Sequence, residues 1–355
     1  MKSLFKPKSI SNVNFRHTFV LEIVTLETLL LTDDEVKALL SMSEVMKAVE
    51  QAFIEKSLGR AQMPPKTYLF YRKYGGDLRV MPSYIEEHDI SAVKIVNSHP
   101  ENRTKYNLPT VMAVVVLADP RNGFPLAIMS GKTITDMRTG AAGGIAAKYL
   151  ARKDSRIVGL IGAGAQARTQ LASLLEVYRK FEEVRVWGLY GTSEEFVAEM
   201  QPKYGDLCRL TPVKNVREAV EGADIVVTTT PSRQPLVMDE VVSLGMHFNC
   251  IGADAPGKEE LDPAILKRAK IVVDDWEQAS HGGEINVPIS HGIITKENVW
   301  AEIGEIVAGL KPGREKRDEI TVFTSTGLAV QDAVTAKLAY EKALKKGIGR
   351  FIKIT

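Results

Sequence analysis

One short segment constrains the fold of this chain more than any other: GAGAQA, from Gly162 to Ala167. It follows the apolar run Ile157–Ile161, which is typical of a buried parallel strand, and it precedes leucines and alanines at helical spacing. Strand, glycine turn and helix in this order are the context that a dinucleotide-binding fingerprint needs. The sequence therefore predicts a nicotinamide or flavin dinucleotide site, with a tight structural turn as the alternative.

Each position of the fingerprint has a physical reason. Gly162 allows the tight turn, Gly164 lets the backbone approach a pyrophosphate, and Ala167 supplies the small side chain where the helix packs on the strand. The free amides at the start of the helix, at Ala165 and Gln166, are suited to hold phosphate oxygens. All five residues are therefore predicted to bind the cofactor.

The pattern along the chain predicts an α/β protein with two different halves. Beyond the fingerprint, short apolar strands alternate with helices as far as Asp274, which indicates a Rossmann-type, doubly wound parallel sheet. The first third instead has two helices, the first capped by Thr32 and Glu35, and then strand-like segments punctuated by Pro and Gly. That order predicts an α+β unit with an antiparallel or mixed sheet. The helix Thr133–Leu150 leads into the fingerprint strand, and an amphipathic helix spans Ala329–Lys346.

Composition excludes several classes of protein. The chain has 355 residues and a net charge of +2, with Lys and Arg scattered, so neither nucleic acid nor another polyanion is expected as a partner. No apolar run is long enough to span a membrane, and two cysteines suggest a reducing, cytoplasmic location. The six histidines lack metal-ligand spacing, so no metal is expected. Residues 1–24 are interpreted as an N-terminal extension.

A set of charged residues outside the fingerprint suggests chemistry. Lys94 lies inside the apolar run Ala92–Val96, where a lysine has little freedom to reach water, although a strand with one wet face would also accommodate it. Asp254 follows an apolar strand, at the edge where ligands bind in open α/β sheets, although strand ends also carry ordinary capping acids. For the remaining cations a surface salt bridge is the default alternative. These cations are Lys66, Arg79 and Arg138.

Ten segments together resemble the ornithine cyclodeaminase/mu-crystallin family, and within it the archaeal-type alanine dehydrogenase branch. The resemblance spans about residue 26 to the C-terminus, and the order and spacing of the segments are specific. They are QMPPK (Gln62–Lys66), DLRVMP (Asp77–Pro82), AVKIVNSHPEN (Ala92–Asn102), LPTVMA (Leu108–Ala113), RTGAAGGIAAKYLAR (Arg138–Arg152), GAGAQA, TTTPS (Thr228–Ser232), IGADAPGKEELD (Ile251–Asp262), VVDDWEQASHGGEIN (Val272–Asn286) and FTSTGLAVQD (Phe323–Asp332).

The resemblance implies an architecture and residue roles. Residues 25–134 with 326–355 would form a substrate-binding and dimerisation domain, residues 135–325 the Rossmann domain, and two copies a homodimer. Lys94 and Asp254 match the family's catalytic residues, and Arg138, Lys66 and Arg79 fall at substrate-binding positions. Besides the fingerprint, the resemblance assigns four residues to the cofactor: Thr110, Thr230, Ser325 and Gly327.

The implied reaction is NAD(P)-dependent oxidative deamination of a small L-amino acid, with L-alanine first. An arginine fork holds a carboxylate, an aspartate suits proton transfer, and a lysine suits a developing alkoxide. Ornithine cyclodeaminases carry a glutamate where this chain has Arg79, and Arg79 would repel the second ammonium group of ornithine. Cyclodeaminase, cyclic imine reductase and a mu-crystallin-like, NADP-dependent binding protein remain the alternatives. The likeness to the alanine dehydrogenase branch favours NAD, but Gly188 stands where NAD-using relatives have an aspartate, so NADP stays open.

Overall fold

The computed structural model describes residues 27–354, so the predicted N-terminal extension, residues 1–24, lies outside the described part. Most strands of the described chain fall into two eight-stranded sheets, and a two-stranded ribbon accounts for the others. In chain order the strands are β1 (Thr28–Leu31), β2 (Ala61–Gln62), β3 (Thr67–Tyr71), β4 (Gly76–Ile85), β5 (Ile90–Ser98), β6 (Val111–Ala118), β7 (Pro125–Ser130), β8 (Ile157–Ile161), β9 (Glu183–Trp187), β10 (Arg209–Pro212), β11 (Ile225–Thr228), β12 (Arg233–Val237), β13 (His247–Cys250), β14 (Glu259–Leu261), β15 (Lys270–Val273), β16 (Val299–Glu302), β17 (Thr321–Thr324) and β18 (Arg350–Ile352).

The helices lie between these strands, and two short 3₁₀ turns occupy Asp239–Val241 and Lys296–Asn298. In chain order the α-helices are α1 (Asp33–Leu39), α2 (Met42–Ser57), α3 (Asn102–Lys105), α4 (Lys132–Leu150), α5 (Ala165–Tyr178), α6 (Thr192–Tyr204), α7 (Val216–Val220), α8 (Pro263–Arg268), α9 (Trp276–Gly282), α10 (Asn286–Ser290), α11 (Ile303–Val307) and α12 (Ala329–Lys346).

The first sheet is mixed, as the first third of the sequence predicts. Its order is β18-β1-β7-β6-β5-β4-β2, with β3 added on β4; β1 runs parallel to β7 and the other pairs are antiparallel. Helices α2, α4 and α12 pack against its inner face. In β5 the side chains of Ala92, Lys94 and Val96 are buried, whereas Ile95 between them is exposed. Lys94 therefore points into the protein and not into water.

The second sheet is parallel throughout, which confirms the predicted doubly wound half. Its order is β10-β9-β8-β11-β13-β17-β15-β16. The chain runs outward from β8 to β10 and then returns to the other side of β8 at β11, so the switch point lies at the end of β8, directly before Gly162. Ligands in open α/β sheets bind outside the carboxyl ends of the strands at this point.

Helix α4 connects the two sheets through close packing on α5. A Cβ atom at Gly143 would overlap the side chain of Gln170, whose amide donates to the Thr139 carbonyl at 2.9 Å. Asn249 of β13 donates to the Gly143 carbonyl at 3.0 Å. This approach fixes the middle of α4, next to Arg138, against the nucleotide-binding half.

Three further observations concern membrane-spanning helices, metal ligands and cysteines. Within residues 27–354 no helix is long and apolar enough to cross a membrane. The same residues contain no group of three His, Cys, Asp or Glu side chains arranged as metal ligands. Both cysteines, Cys208 and Cys250, are buried free thiols, and burial raises the pKa of each.

Candidate active site

Lys94 of the first sheet and Arg138 of α4 both pair with the buried carboxylate of Asp332, so the three side chains form an ion triad. Lys94 Nζ lies 2.7 and 2.8 Å from the two carboxylate oxygens of Asp332 on α12, and Arg138 Nε lies 3.0 Å from Asp332 Oδ1. The side chains of Lys94 and Asp332 are each 1% exposed. Burial first, and then the charge of Arg138, lower the pKa of Lys94 to about 7 against the opposing effect of Asp332. Lys94 can therefore exchange a proton near neutral pH.

Asp254 is held by two cations. Its Oδ2 accepts from Arg79 Nη1 at 2.9 Å, and its Oδ1 lies 2.7 Å from Lys258 Nζ. Burial would raise the pKa of Asp254, but the charges of Arg79 and Lys258 override it and hold that pKa well below its usual range. Arg79 is oriented by Asp77 at 2.9 Å and stacks over the ring of Tyr68. Asp254 is thus an ionised carboxylate with both oxygens engaged.

Lys66 lies between these two groups. Its Nζ donates to the Thr326 carbonyl at 2.6 Å, and the turn at Thr326 is itself held by Asp274, which accepts from the Thr326 amide at 2.6 Å. Burial first lowers the pKa of Lys66 to about 8, while the charges of Asp274 and Asp254 raise it. Burial also raises the pKa of Asp274 to about 6. The structure therefore brings all five predicted catalytic and substrate-binding residues into one site.

The glycine turn has room for a dinucleotide. Gly162 has φ +102°, and a Cβ atom there would lie 2.6 Å from Thr229 Oγ1, so glycine is required. At Gly164 a Cβ atom would meet nothing within 4 Å, which leaves that side of the turn open. Among the described residues no acceptor takes the amide hydrogens of Ala165 and Gln166 at the start of α5. An open glycine turn followed by free helix amides fits a pyrophosphate.

The four other predicted cofactor residues differ in their placement. Ser325 follows β17 at the carboxyl edge of the parallel sheet, and its buried hydroxyl has no partner among residues 27–354. Thr230 lies at the same edge and donates to Glu260 at 2.7 Å. The Gly327 amide donates a hydrogen bond to Asp274 at 2.8 Å. A Cβ atom at position 327 would overlap the guanidinium of Arg138. Gly327 thus makes room for an arginine.

Thr110 differs from the other predicted cofactor residues in that it lies next to a strand of the first sheet. It belongs to the loop before β6, is exposed, and its carbonyl accepts from the His99 amide at 2.8 Å. Within residues 27–354 no hydrogen bond connects its side chain to the glycine turn. Its assignment to the cofactor stays a prediction.

The ribose end of the nucleotide site has an unusual lining. Gly188 directly follows β9, where NAD-binding folds place an acid. A Cβ atom at Gly188 would overlap Thr192 Oγ1 and lie 3.0 Å from the Ala163 Cβ. Glu194, the first acid that follows Gly188 along the chain, lies in the first turn of α6 and accepts from the Ser193 hydroxyl at 2.8 Å. The space at Gly188 thus has no room for a larger residue while Thr192 keeps its position.

Sequence reasoning missed four carboxylates or cations that shape the site: Asp332, Asp274, Lys258 and Glu260. Asp332 had a readable signal, because it interrupts an apolar stretch in which Val330, Ala333 and Val334 are all buried. Glu260 had none, since only the folded chain brings its carboxylate to the amides of Thr230, at 2.6 Å, and Gly252, at 3.0 Å.

The arrangement favours a small anionic substrate. Four cations, Lys66, Arg79, Lys94 and Arg138, lie close together near Asp254, which follows β13 at the same edge of the parallel sheet as the glycine turn. Two of them are arginines, which can hold a carboxylate with two hydrogen bonds. Lys94 and Asp254 offer one group that titrates near neutrality and one ionised carboxylate. These groups can bind a carboxylic acid and move protons next to a dinucleotide.

Known proteins share this whole architecture. Residues 26–347 match the model of the ornithine cyclodeaminase/mu-crystallin family. Alanine dehydrogenase of Archaeoglobus fulgidus is 53% identical over 329 residues, 92% of this chain and 99% of that protein. An archaeal alanine dehydrogenase dimer with bound NAD has a TM-score of 0.87 at 52% identity, over 93% of this chain and 100% of that chain. The Thermococcus litoralis Δ1-pyrroline-2-carboxylate reductase in complex with NADH and L-proline has a TM-score of 0.88 at 44% identity, over 92% of this chain and 100% of that chain.

Proposed function

The chain belongs to the ornithine cyclodeaminase/mu-crystallin family, and we propose that it catalyses reversible NAD-dependent oxidative deamination of a small L-amino acid, L-alanine first, to a 2-oxo acid and ammonia. One observation carries the choice of substrate: Asp254 is flanked by Arg79 and Lys258, with Lys66 close by. These cations attract the carboxylate of the substrate and repel a second ammonium group. Similarity to an alanine dehydrogenase supports the same choice.

Substrate binding prepares Asp254 for proton transfer. Arg138 and Arg79 hold the substrate carboxylate, so that carboxylate competes with Asp254 for Arg79. Once Arg79 turns toward the substrate, Asp254 loses a neighbouring positive charge and its pKa rises toward the ordinary value. Asp254 then accepts a proton, which it cannot do while both cations hold it. The resting ion pair keeps the base inactive until a carboxylate is bound.

The remaining groups act on the carbon that carries nitrogen. A nicotinamide cofactor held at the glycine turn would supply the acceptor for the hydride of the α-carbon, and its reduced form would supply the hydride in the reverse direction. Asp254 takes a proton from the water that adds to the resulting imine. Lys94, protonated, donates a hydrogen bond to the oxygen as negative charge develops on it. Asp254 passes that proton to the amino nitrogen, and the C–N bond breaks as the carbonyl forms. The products are the 2-oxo acid, ammonia, one proton and the reduced cofactor.

The glycine turn and the amides of Ala165 and Gln166 are proposed to hold the pyrophosphate of NAD. NAD is the first choice because relatives solved with NAD or NADH share the fold over nearly the whole chain. NADP is proposed as a second acceptable cofactor, since Gly188 places no carboxylate against a 2′-phosphate.

A substrate panel tests the proposal. L-Alanine, other small L-amino acids and L-ornithine are offered with NAD and with NADP, and formation of the reduced cofactor is followed by its absorbance. We expect clear activity on L-alanine and little on L-ornithine, and Arg79→Glu should shift the ratio of kcat/KM toward ornithine. Efficient conversion of ornithine to proline by the unmodified protein, without activity on alanine, would overturn the assignment.

Cyclic imine reduction is the second candidate, favoured by the similarity to the reductase solved with NADH and L-proline. The same arginines would hold the carboxylate beside a C=N bond that is already formed. A comparison of two values of kcat/KM, both measured with NADH, distinguishes the two candidates. One value is for Δ1-pyrroline-2-carboxylate, and the other is for pyruvate with ammonia. Tight cofactor binding without turnover of either substrate would instead indicate a mu-crystallin-like binding protein.

We further propose a homodimer, with residues 25–134 and 326–355 as the dimerisation and substrate-binding domain and residues 135–325 as the nucleotide-binding domain. The outer face of the first sheet supports this assembly, because Ile95, Met112 and Val114 form an apolar surface that is 38 to 43% exposed in one chain. Adjacent exposed apolar side chains on a sheet are typical of a protein interface.

A further inference from the structure

Asp332 is the only acidic side chain with a contact to Lys94 among the residues that the structure describes. It lies on α12, close to the C-terminus of the chain, and it is 1% exposed. Its carboxylate lies 2.7 Å from Lys94 Nζ and 3.0 Å from Arg138 Nε. One buried anion is thus shared by two cations that come from different parts of the fold, β5 and α4.

The carboxylate of Asp332 orients the side chains of both Lys94 and Arg138. Lys94 Nζ has one further contact, a 3.4 Å approach to Thr135 Oγ1, which is too long to orient the ammonium group alone. Arg138 uses Nε on Asp332 and Nη1 on Gln331 at 3.2 Å, so its Nη2 is left for a substrate. Without Asp332 two buried positive charges would face each other uncompensated.

We infer that Asp332 is a positioning residue that sets the orientation of Lys94 and Arg138 together, so that the lysine reaches the reacting oxygen while the arginine holds the carboxylate. The inference rests on the proposed function, which assigns those two roles. It makes α12, outside the nucleotide-binding half, a determinant of the proton state of the site.

The charged groups that face Lys94 decide whether loss of the Asp332 charge raises or lowers the pKa of Lys94. Arg138 from α4 and Lys66 from the segment before β3 lower its pKa, and Asp332 from α12 raises it. Removal of the Asp332 charge must therefore lower the pKa of Lys94 further. A residue that merely stabilised the fold would change the amount of active enzyme but not this titration.

The test uses Asp332→Asn in the full-length protein, with Glu55→Gln as the matched control. Glu55 is also a fully buried, ion-paired carboxylate, but its partner Arg60 lies outside the site. Lys94 is titrated by NMR of protein labelled with 13C at lysine Cε, its signal identified through Lys94→Arg. We expect the midpoint to fall by about one pH unit or more in Asp332→Asn and to stay in place in Glu55→Gln. An unmoved midpoint would overturn the inference.

Kinetics supply the second readout. The high-pH limb of kcat/KM should move to lower pH by the same amount as the NMR midpoint, while the Kd of NADH stays within about threefold. A fall in rate with an unmoved limb would show a structural role and contradict the inference. The NMR titration needs no substrate, so it decides the role of Asp332 even if every substrate of the panel fails.

Asp332→Glu covers the case in which Asp332→Asn does not fold. It keeps the charge but moves it by about one methylene group, so Lys94 should titrate near its original midpoint while kcat/KM falls by about tenfold or more. An unchanged kcat/KM in Asp332→Glu would show that the position of the carboxylate does not matter, and the inference would be wrong.

Discussion

The residue that best connects sequence to chemistry is Lys94. The sequence placed it in an apolar run but left open whether it points into water, and its 1% exposure beside Asp332 resolves that question. No sequence pattern identifies Asp332 as the partner of Lys94, because the two residues are 238 positions apart in the chain. The proton affinity of Lys94 depends on that partner and on Arg138, so its pKa of about 7 was not predictable from the strand alone.

Lys94→Ala should lower turnover by about 100-fold or more, the usual scale for one lost electrostatic or acid–base group. Nucleotide affinity should stay within a few-fold, because Lys94 contacts Asp332 and Thr135 and not the glycine turn. Lys270→Ala is the control, since Lys270 pairs with Glu315 and Glu319 at the amino end of β15, away from the site. Near-normal turnover of Lys94→Ala on its best substrate would contradict the assigned role.

The pH dependence follows from the same residue. The pKa of Lys94 is lowered from its ordinary value to about 7, so the protonated, hydrogen-bond-donating form dominates below about pH 7 and is lost above it. For reductive amination, kcat/KM should carry a limb that falls with rising pH near 7. Lys94→Arg should remove this limb, because a guanidinium keeps its proton. A limb that persists in Lys94→Arg would have to belong to another group.

Asp254→Asn should separate binding from chemistry. The amide cannot take a proton at neutral pH, so kcat should fall by about 100-fold or more. Pyruvate should bind as well as before or more tightly, because Arg79 and Lys258 no longer share their charge with a carboxylate. Steady-state kinetics and NADH fluorescence titration measure both. Loss of nucleotide binding instead would identify Asp254 as a cofactor ligand.

At the scale of elements, strong local patterns predicted the elements well. The capping box of Thr32 and Glu35 is present at the start of α1, and the predicted helix Ala329–Lys346 is α12 with the same bounds. Strands β1 and β18 were not predicted, since they are short and pair only with distant parts of the chain, β1 with β7 and β18 with β1. Residues Asp239–Val241, which fall within the predicted strand–helix alternation, form a 3₁₀ turn. The domain boundaries stay a prediction.

The junction of β9 and α6 makes cofactor preference testable. Gly188→Asp alone is expected to fit poorly, because its Cβ would overlap Thr192 Oγ1. The double variant Gly188→Asp/Thr192→Ala removes that overlap and adds a carboxylate that accepts ribose hydrogen bonds and repels a 2′-phosphate. The ratio of the NADPH to the NADH dissociation constant should rise by about tenfold or more over the Thr192→Ala control. Fluorescence titration measures both constants.

The unmodified protein provides the check on this reasoning. With Gly188 in place it should discriminate weakly between the two cofactors. If it already excludes NADPH by orders of magnitude, another residue does the discriminating, and Glu194 in the first turn of α6 becomes the first candidate.

At the scale of the whole molecule, the first sheet has one covered face and one bare face. The helices cover the inner face, whereas on the outer face Ile95 of β5 pairs across the strands with Val114 of β6, and Asn97 pairs with Met112. The alternation along β5 thus serves two purposes. It directs Lys94 inward to the active site and its neighbour Ile95 outward to the surface that we propose meets a second copy of the chain.

Val114→Glu should therefore dissociate the proposed dimer. Val114 is 43% exposed in one chain, and a charge there would be buried without a partner when two outer faces meet. Leu244→Glu is the matched control, because Leu244 is 66% exposed and lies in the nucleotide-binding half, before β13. Light scattering after gel filtration should give the mass of two chains for the unmodified protein and Leu244→Glu, and of one chain for Val114→Glu. A dimer that persists in Val114→Glu would place the interface on another surface, and the outer face of the first sheet would need a different explanation.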